Sequence, residues 1–295
     1  MNVAVLGLGA MGAPIARRLE AAGFGLTVYN RSPGPGREFA ERGVQVARTP
    51  AAACAGVDVC VSMLSDGPAV ETVLGEVLAA PSPPNVVIDM STIDVTSSTR
   101  VAERIAQAGV AYVRAPVSGN PGVVAAGRLV ILASGDHDAF TAVRPVLDAI
   151  GPTVLHLGAG EEARVMKLAL NLMVAGTMQL LAEALVMGEG HGLDRGQMLE
   201  VIGGSVVGSP FAKYKAEPLI ADDYSTTFAA RLMHKDLGLV LDCADAAGVP
   251  VPIAATVQQL LRACIGAGLG ELDFAVLVAK LQQDAGQRKT LPQLV

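Results

Sequence analysis

Lys167 and Asn171 stand within the most apolar helical stretch of this 295-residue chain. They sit four positions apart in a run that reads as one long helix over residues 161–190, so they project roughly 40° apart on one face, one turn from each other. Burying an amine or an amide without partners is costly. Either Lys167 is exposed near the helix start and Asn171 bonds a neighbouring backbone, or both line a cleft, where an amine can exchange protons and an amide can orient a ligand.

A second group of residues opens the chain. Val3 to Leu6 form a short apolar run that fits a buried parallel strand, and Gly7, Gly9 and Gly12 follow in the spacing G-x-G-x-x-G. Gly7 permits a tight turn, Gly9 removes a side chain where a pyrophosphate nears the backbone, and Gly12 lets the following helix pack on the strand. That helix, starting near Met11, aims its unpaired N–H groups and positive dipole end at the phosphates. The loop Gly7-Leu8-Gly9-Ala10-Met11-Gly12 is therefore expected to bind a dinucleotide. Past a second strand at 26–30 come Asn30, Arg31 and Ser32, where the adenine ribose should lie. NAD sites usually place an acid there and NADP sites often an arginine. No acid is present. Arg31 and Ser32 read as a clasp for a 2′-phosphate, favouring NADP with NAD still possible, unless Arg31 is only a solvated turn residue.

The elements that must position these groups alternate. Strands are expected at 44–46, 57–63, 85–89, 111–114, 129–133 and 153–157. Helices are expected behind Thr49 and Asp66, over 95–108 and over 137–150. This βαβ rhythm predicts an α/β fold, a Rossmann-type doubly wound parallel sheet followed by an all-α C-terminal domain. Ligands of such sheets lie beyond the carboxyl ends of the strands, which makes Met63, Leu64 and Ser65, and Ser91 with Thr92, candidate cofactor contacts; each also fits a helix cap. The loop Ala115-Pro116-Val117-Ser118-Gly119-Asn120-Pro121 is stiff and rich in polar donors, suited to a small anion, and fits a simple turn equally well. After Gly158-Ala159-Gly160 the strands stop. A boundary is expected there, giving residues 1–160 as the nucleotide-binding domain and 161–295 as a helical domain, with 287–295 a loose tail.

Composition narrows the classes further. A formal charge of -6 without a Lys/Arg-rich run argues against a nucleic-acid surface. Cys54, Cys60, Cys243 and Cys264 have no C-x-x-C spacing and read as isolated reduced thiols, with no metal site, which points to the cytoplasm. No charged leader precedes an apolar segment at the N-terminus. The apolar run 168–187 is long enough to raise the question of a membrane, but Asn171, Gln179 and Glu183 interrupt it and no basic flank marks an orientation. It is expected to be a helix buried in protein.

Taken together, the segment Val5 to Ala16, the Ser91-Thr92 pair, Ala115-Pro116-Val117-Ser118-Gly119, Lys167 with Asn171, and Lys235-Asp236 resemble the β-hydroxyacid dehydrogenases, the 3-hydroxyisobutyrate dehydrogenase family. The likeness runs nearly the whole chain in the right order. It implies reversible hydride transfer between NAD(P) and a small carboxylate-bearing 3-hydroxy acid, and a helical domain used to form a homodimer or homotetramer. By the same likeness Lys167 is the acid/base, Ser118, Gly119, Asn171 and Thr92 hold the substrate, and Phe228 and Lys235 lie on the cofactor side. Two departures touch the substrate loops: Arg114 and Asn120 flank the Ala-Pro-Val-Ser-Gly segment where the family usually has Asp and Gly, and Asp94-Val95 replaces a proline-containing turn. Imine reductases share this architecture but generally lack the lysine. The decarboxylating 6-phosphogluconate dehydrogenases carry a larger helical domain, and a non-catalytic cofactor-binding protein of this fold is the reading outside enzymes.

Overall fold

The computed structural model describes residues 1–288 and 290–293; Lys289, Leu294 and Val295, part of the tail read from the sequence, lie outside the described residues. The chain divides into two compact units, Met1–Lys167 and Leu168–Val295. The first unit runs β1 (Asn2–Leu6), α1 (Gly12–Ala21), β2 (Gly25–Tyr29), α2 (Arg37–Glu41), β3 (Gln45–Val46), α3 (Pro50–Cys54), β4 (Val59–Ser62) and α4 (Gly67–Leu78). It continues through β5 (Val86–Asp89), α5 (Val95–Gln107), β6 (Ala111–Arg114), β7 (Val117–Ser118), α6 (Pro121–Ala125), β8 (Val130–Gly135), α7 (His137–Ile150) and β9 (Thr153–His156). The helix α8 (Glu162–Gly190) begins in this unit and continues in the second, followed by α9 (Arg195–Gly204), α10 (Pro210–Ile220), α11 (Ala230–Ala246), α12 (Pro252–Gly266) and α13 (Leu277–Asp284).

Side-chain alternation explains the layers of the first unit. In β1, Val3 and Val5 enter one apolar cluster and Ala4 and Leu6 another, because successive residues of a strand point to opposite faces. Val59 and Val61 against Cys60, and Val86 and Ile88 against Val87, repeat the division. A sheet buried on both faces in this way needs helices on both sides. Six strands pair in parallel in the order β3-β2-β1-β4-β5-β6, the doubly wound nucleotide-binding order. β8 then adds antiparallel to β6, with β7 antiparallel and β9 parallel to β8.

Local signals set most of the element starts. Thr49 Oγ1 accepts from the Ala52 amide at 3.1 Å, and Asp66 Oδ1 accepts from the Ala69 amide at 2.9 Å. Each such cap contributes about 1 kcal/mol. The sequence reading missed α2, β7 and α6, elements of two to five residues whose periodicity is too short to register.

In the second unit the apolar face of α8, with Leu168, Ala175, Met178, Ala182 and Leu185, packs in a cluster with Met233 and Leu237 of α11 and Val257 and Leu261 of α12. Among the described residues α8 is the one helix long and apolar enough by length and composition to cross a membrane. One face packs in the core of the second unit, while half of its most apolar window is not buried, so the helix expected to be buried in protein is buried on one side. The division between units falls at Lys167 rather than at Gly160, because the first turn of α8 is tied into the first unit through Ala163 and Arg164, both buried there.

Candidate active site

The glycine loop has the geometry its spacing requires. Gly7 has φ +95°, a left-handed conformation that favours glycine, and a Cβ there would stand 2.3 Å from the Met63 carbonyl oxygen. A Cβ on Gly12 would stand 1.9 Å from the Gly7 carbonyl oxygen, so this residue closes the turn against the helix. At Gly9 nothing lies within 4 Å of the added atom, and the residue is exposed. Its missing side chain leaves room for a ligand to reach the backbone. Met11 at the N-cap of α1 makes no side-chain capping bond and the first turn has no acid, so the positive end of α1 is open to an anion. These features fit a dinucleotide pyrophosphate.

Asn30 fixes the loop to the end of β2. Its Oδ1 accepts from the Leu8 amide at 2.8 Å, while its Nδ2 donates to Ser32 Oγ at 3.0 Å and to the Ser32 carbonyl at 2.9 Å. Beside it lies a pocket of about 350 Å³ lined by Asn30, Arg31, Ser32 and Arg48 among others. Arg48, which the sequence reading did not single out, joins Arg31 because the chain after β3 returns alongside β2. Two guanidiniums and a hydroxyl facing one pocket are a donor set for a phosphate.

The loops after β4 and β5, which carry Met63, Leu64 and Thr92, hang on one buried carboxylate. Asp89 Oδ1 accepts from Ser62 Oγ at 2.8 Å, from Ser91 Oγ at 2.6 Å and from the Ser91 amide at 3.1 Å. The Leu64 amide donates in turn to Ser91 Oγ at 2.9 Å. The other oxygen, Asp89 Oδ2, accepts from the Tyr112 hydroxyl at 3.1 Å and from Arg164 Nη2. Burial, and after it the charge of Asp89, pushes the Tyr112 phenol up, so it stays a donor. Burial would lower the pKa of Arg164, but Asp89, Tyr112 and Glu161 outweigh it and the net shift is upward. Neither Asp89 nor Arg164 was read from the sequence. The available signal was Arg164 itself, a second cation three residues before Lys167 in an apolar helix.

Arg114, whose facing was open at the sequence level, is buried. Its Nε donates to Glu161 Oε1 at 2.7 Å and to Ser98 Oγ at 3.3 Å, with the guanidinium 5.1 Å from the Tyr112 ring centroid. Asn120, the other departure, caps α6: its Oδ1 accepts from the Val123 amide at 3.0 Å. Asp94 caps α5 by accepting from the Ser97 amide at 2.6 Å. Ser118 is half-buried in β7 and Gly119 is exposed at φ +145°, where a side chain would press on Leu129 and Val123.

Lys167 is half-buried on α8, one turn before Asn171. In the second unit Asn171 is buried and donates from Nδ2 to Asp236 Oδ2 at 2.7 Å, while Asp236 Oδ1 lies 3.0 Å from Lys235 Nζ. Asp236 thus fixes the direction of the Asn171 amide, a role the sequence did not disclose. Phe228, half-buried, meets Phe274 edge to face at 5.8 Å between ring centroids. The first unit brings together the glycine loop, Asn30 to Ser32, Met63 and Leu64; Asn171, Phe228 and Lys235 belong to the second unit.

Residues 2–158 match the family model of the NAD-binding domain of 6-phosphogluconate dehydrogenase. Residues 158–281 match that described as the NAD-binding of NADP-dependent 3-hydroxyisobutyrate dehydrogenase. The chain is 32% identical to 2-(hydroxymethyl)glutarate dehydrogenase of Eubacterium barkeri, with 97% of this chain and 96% of the relative covered. It is 32% identical to glyoxylate/succinic semialdehyde reductase 1 of Arabidopsis thaliana, covering 94% of this chain and 97% of the relative. Among solved structures, the 3-hydroxyisobutyrate dehydrogenase of Mycobacterium tuberculosis with L-serine superposes with a TM-score of 0.86 at 32% identity, covering 95% of this chain and 99% of the other.

Proposed function

The chain belongs to the β-hydroxyacid dehydrogenase (3-hydroxyisobutyrate dehydrogenase) family, and on that premise we propose that it interconverts a small monocarboxylic semialdehyde and its 3-hydroxy acid with NADP(H). It is an NAD(P)-dependent oxidoreductase of small hydroxy acids. The observation that carries the reaction is Lys167 one turn before Asn171 on α8, with the Asn171 amide held by Asp236. In reduction the Lys167 ammonium donates a proton to the carbonyl oxygen; in oxidation the neutral amine takes the hydroxyl proton. Asn171 keeps one N–H and its carbonyl oxygen to orient the substrate. Ser118 Oγ and the Gly119 amide hold the carboxylate, and Thr92 also binds the substrate. The nicotinamide cofactor, when bound, supplies or accepts the hydride. Residues 7–12, Asn30, Arg31, Ser32, Met63, Leu64, Thr92, Phe228 and Lys235 would hold that cofactor. We assign residues 1–160 to the nucleotide and 161–295 to substrate and assembly, with the first turn of α8 packed against the nucleotide-binding unit.

Arg114 bears on the substrate. Its charge is matched by Glu161, so it is committed within the fold and a second anionic group on the substrate has no spare cation there. A panel of semialdehydes assayed by NADPH oxidation tests both the reaction and the carboxylate. Turnover of a monocarboxylic semialdehyde is expected, with its amide analogue raising KM by at least about tenfold, equivalent to ~1.4 kcal/mol of lost uniform binding. Equal kcat/KM for acid and amide removes Ser118 and Gly119 as a carboxylate site. Oxidation of NADPH only with cyclic imines would instead make the chain an imine reductase.

The second unit supports assembly as a homodimer or homotetramer. Met173, Leu180 and Met187 are 66%, 69% and 67% exposed at seven-residue intervals on α8. That spacing keeps them near one helix face. A fully buried side chain of this size contributes about 1.5–3 kcal/mol, which favours a second copy covering the stripe. Leu180→Glu is expected to move the protein to the monomer in light scattering; an unchanged mass would free this face from assembly. The four cysteines are free thiols, which supports a reducing compartment, the cytoplasm.

A further inference from the structure

We propose that Arg164 and Asp89 are positioning residues for catalysis: one buried ion pair locks the helix turn that carries Lys167 to the two strand-end loops beside it. This rests on the reading of Lys167 as the acid/base. Both residues are buried, Arg164 at 1% and Asp89 at 0% exposure, and they are 75 positions apart in sequence. Arg164 donates from all three guanidinium nitrogens: Nη2 to Asp89 and, at 3.1 Å, to the Tyr112 hydroxyl; Nη1 to the Ser91 carbonyl; Nε to Ser98 Oγ at 3.3 Å. Asp89 in turn gathers Ser62 and Ser91, and through Ser91 Oγ the Leu64 amide.

One end of the pair therefore sets the loops bearing Met63, Leu64 and Thr92, and the other sets the rotation and rise of α8 three residues before Lys167. Helix geometry carries that fixation to Lys167 with little slack, since each residue adds about 1.5 Å and 100°. Four directional bonds from a planar guanidinium define an orientation that one point charge cannot. The adjoining Arg114–Glu161 pair, which shares Ser98 Oγ, holds the residue just before α8 and limits tilting of the helix start. Catalytic geometry is sensitive to misplacement of about 1 Å, so loosening this joint should cost rate before it costs cofactor binding.

The test is Arg164→Lys, which keeps a cation opposite Asp89 but cannot reach all four partners. The purified full chain is expected to show kcat at least tenfold lower, with the NADPH dissociation constant, read by fluorescence titration, within threefold of wild type. Should this variant fail to fold, the double variant Asp89→Asn with Arg164→Gln removes both charges together, leaves neither ion buried alone, and is expected to show the same loss of kcat. A folded variant of either kind with kcat within twofold of wild type overturns the inference, as does loss confined to the dissociation constant or to the melting temperature. Lys167→Ala assayed in parallel separates the two readings. An active Lys167→Ala refutes the acid/base role itself, whereas an inactive Lys167→Ala beside a fully active Arg164→Lys refutes only the positioning role.

Discussion

Lys167→Ala lowers kcat by at least about 10²-fold in both directions while the NADPH dissociation constant stays within threefold of wild type. The magnitude is the low end of what a general acid or base contributes. The pattern follows from placement: Lys167 is carried by α8, whereas the glycine loop and the Asn30–Arg31–Ser32 corner that would hold the nucleotide are carried by the ends of β1 and β2. Alanine keeps the helix, being its best former, so the change removes an amine and little else. Steady-state kinetics with a semialdehyde, and with its hydroxy acid, checks the result. A variant retaining kcat near wild type would take lysine out of the mechanism. An intact kcat with a weakened dissociation constant would reassign Lys167 to cofactor binding.

Arg31→Ala weakens NADPH by roughly 10- to 150-fold and leaves NADH nearly unchanged. A hydrogen bond to a charged group is worth ~1.5–3 kcal/mol, which converts to that range. The pocket gives a reason to expect more than one contributor, since Arg48 shares it with Arg31 and Ser32. Arg31→Ala with Arg48→Ala should therefore bring the two cofactors close to parity. Both arginines are exposed, so the preference should also shrink as ionic strength rises. Titration with 2′,5′-ADP against 5′-ADP reads the phosphate contribution without turnover. Preference of the wild type for NADH would sink the assignment of this corner to a 2′-phosphate.

Much of the fold was legible because it is written in local terms. Thr49 and Asp66 announce helices through bonds to amides three residues on, and Val3 to Leu6 announce a two-faced strand through alternation. Gly7 and Gly12 are required by contacts made within their own turn and with the neighbouring strand end. The departures that left the substrate in doubt were less legible. Asn120 and Asp94 turn out to be helix caps. A polar residue ahead of a short helix reads equally well as a cap or as a ligand until the amide it faces is seen.

The sequence by itself determined the order of the longer elements, the glycine loop, the missing acid beside Arg31, and the Lys167–Asn171 spacing, since each depends on neighbours within one or two turns. Only the tertiary structure decided that Arg48 joins Arg31, that Asp236 aims the Asn171 amide, that Glu161 matches the charge of Arg114, and that Asp89 reaches Arg164. The physical reason is separation along the chain. The partners Asn171 and Asp236 stand 65 residues apart and Asp89 and Arg164 stand 75 apart, and a charged side chain leaves no periodic mark that says which distant charge will face it. Such pairs are chosen by sheet order and helix packing, which bring a strand end and a helix turn together and leave burial to demand that their charges match.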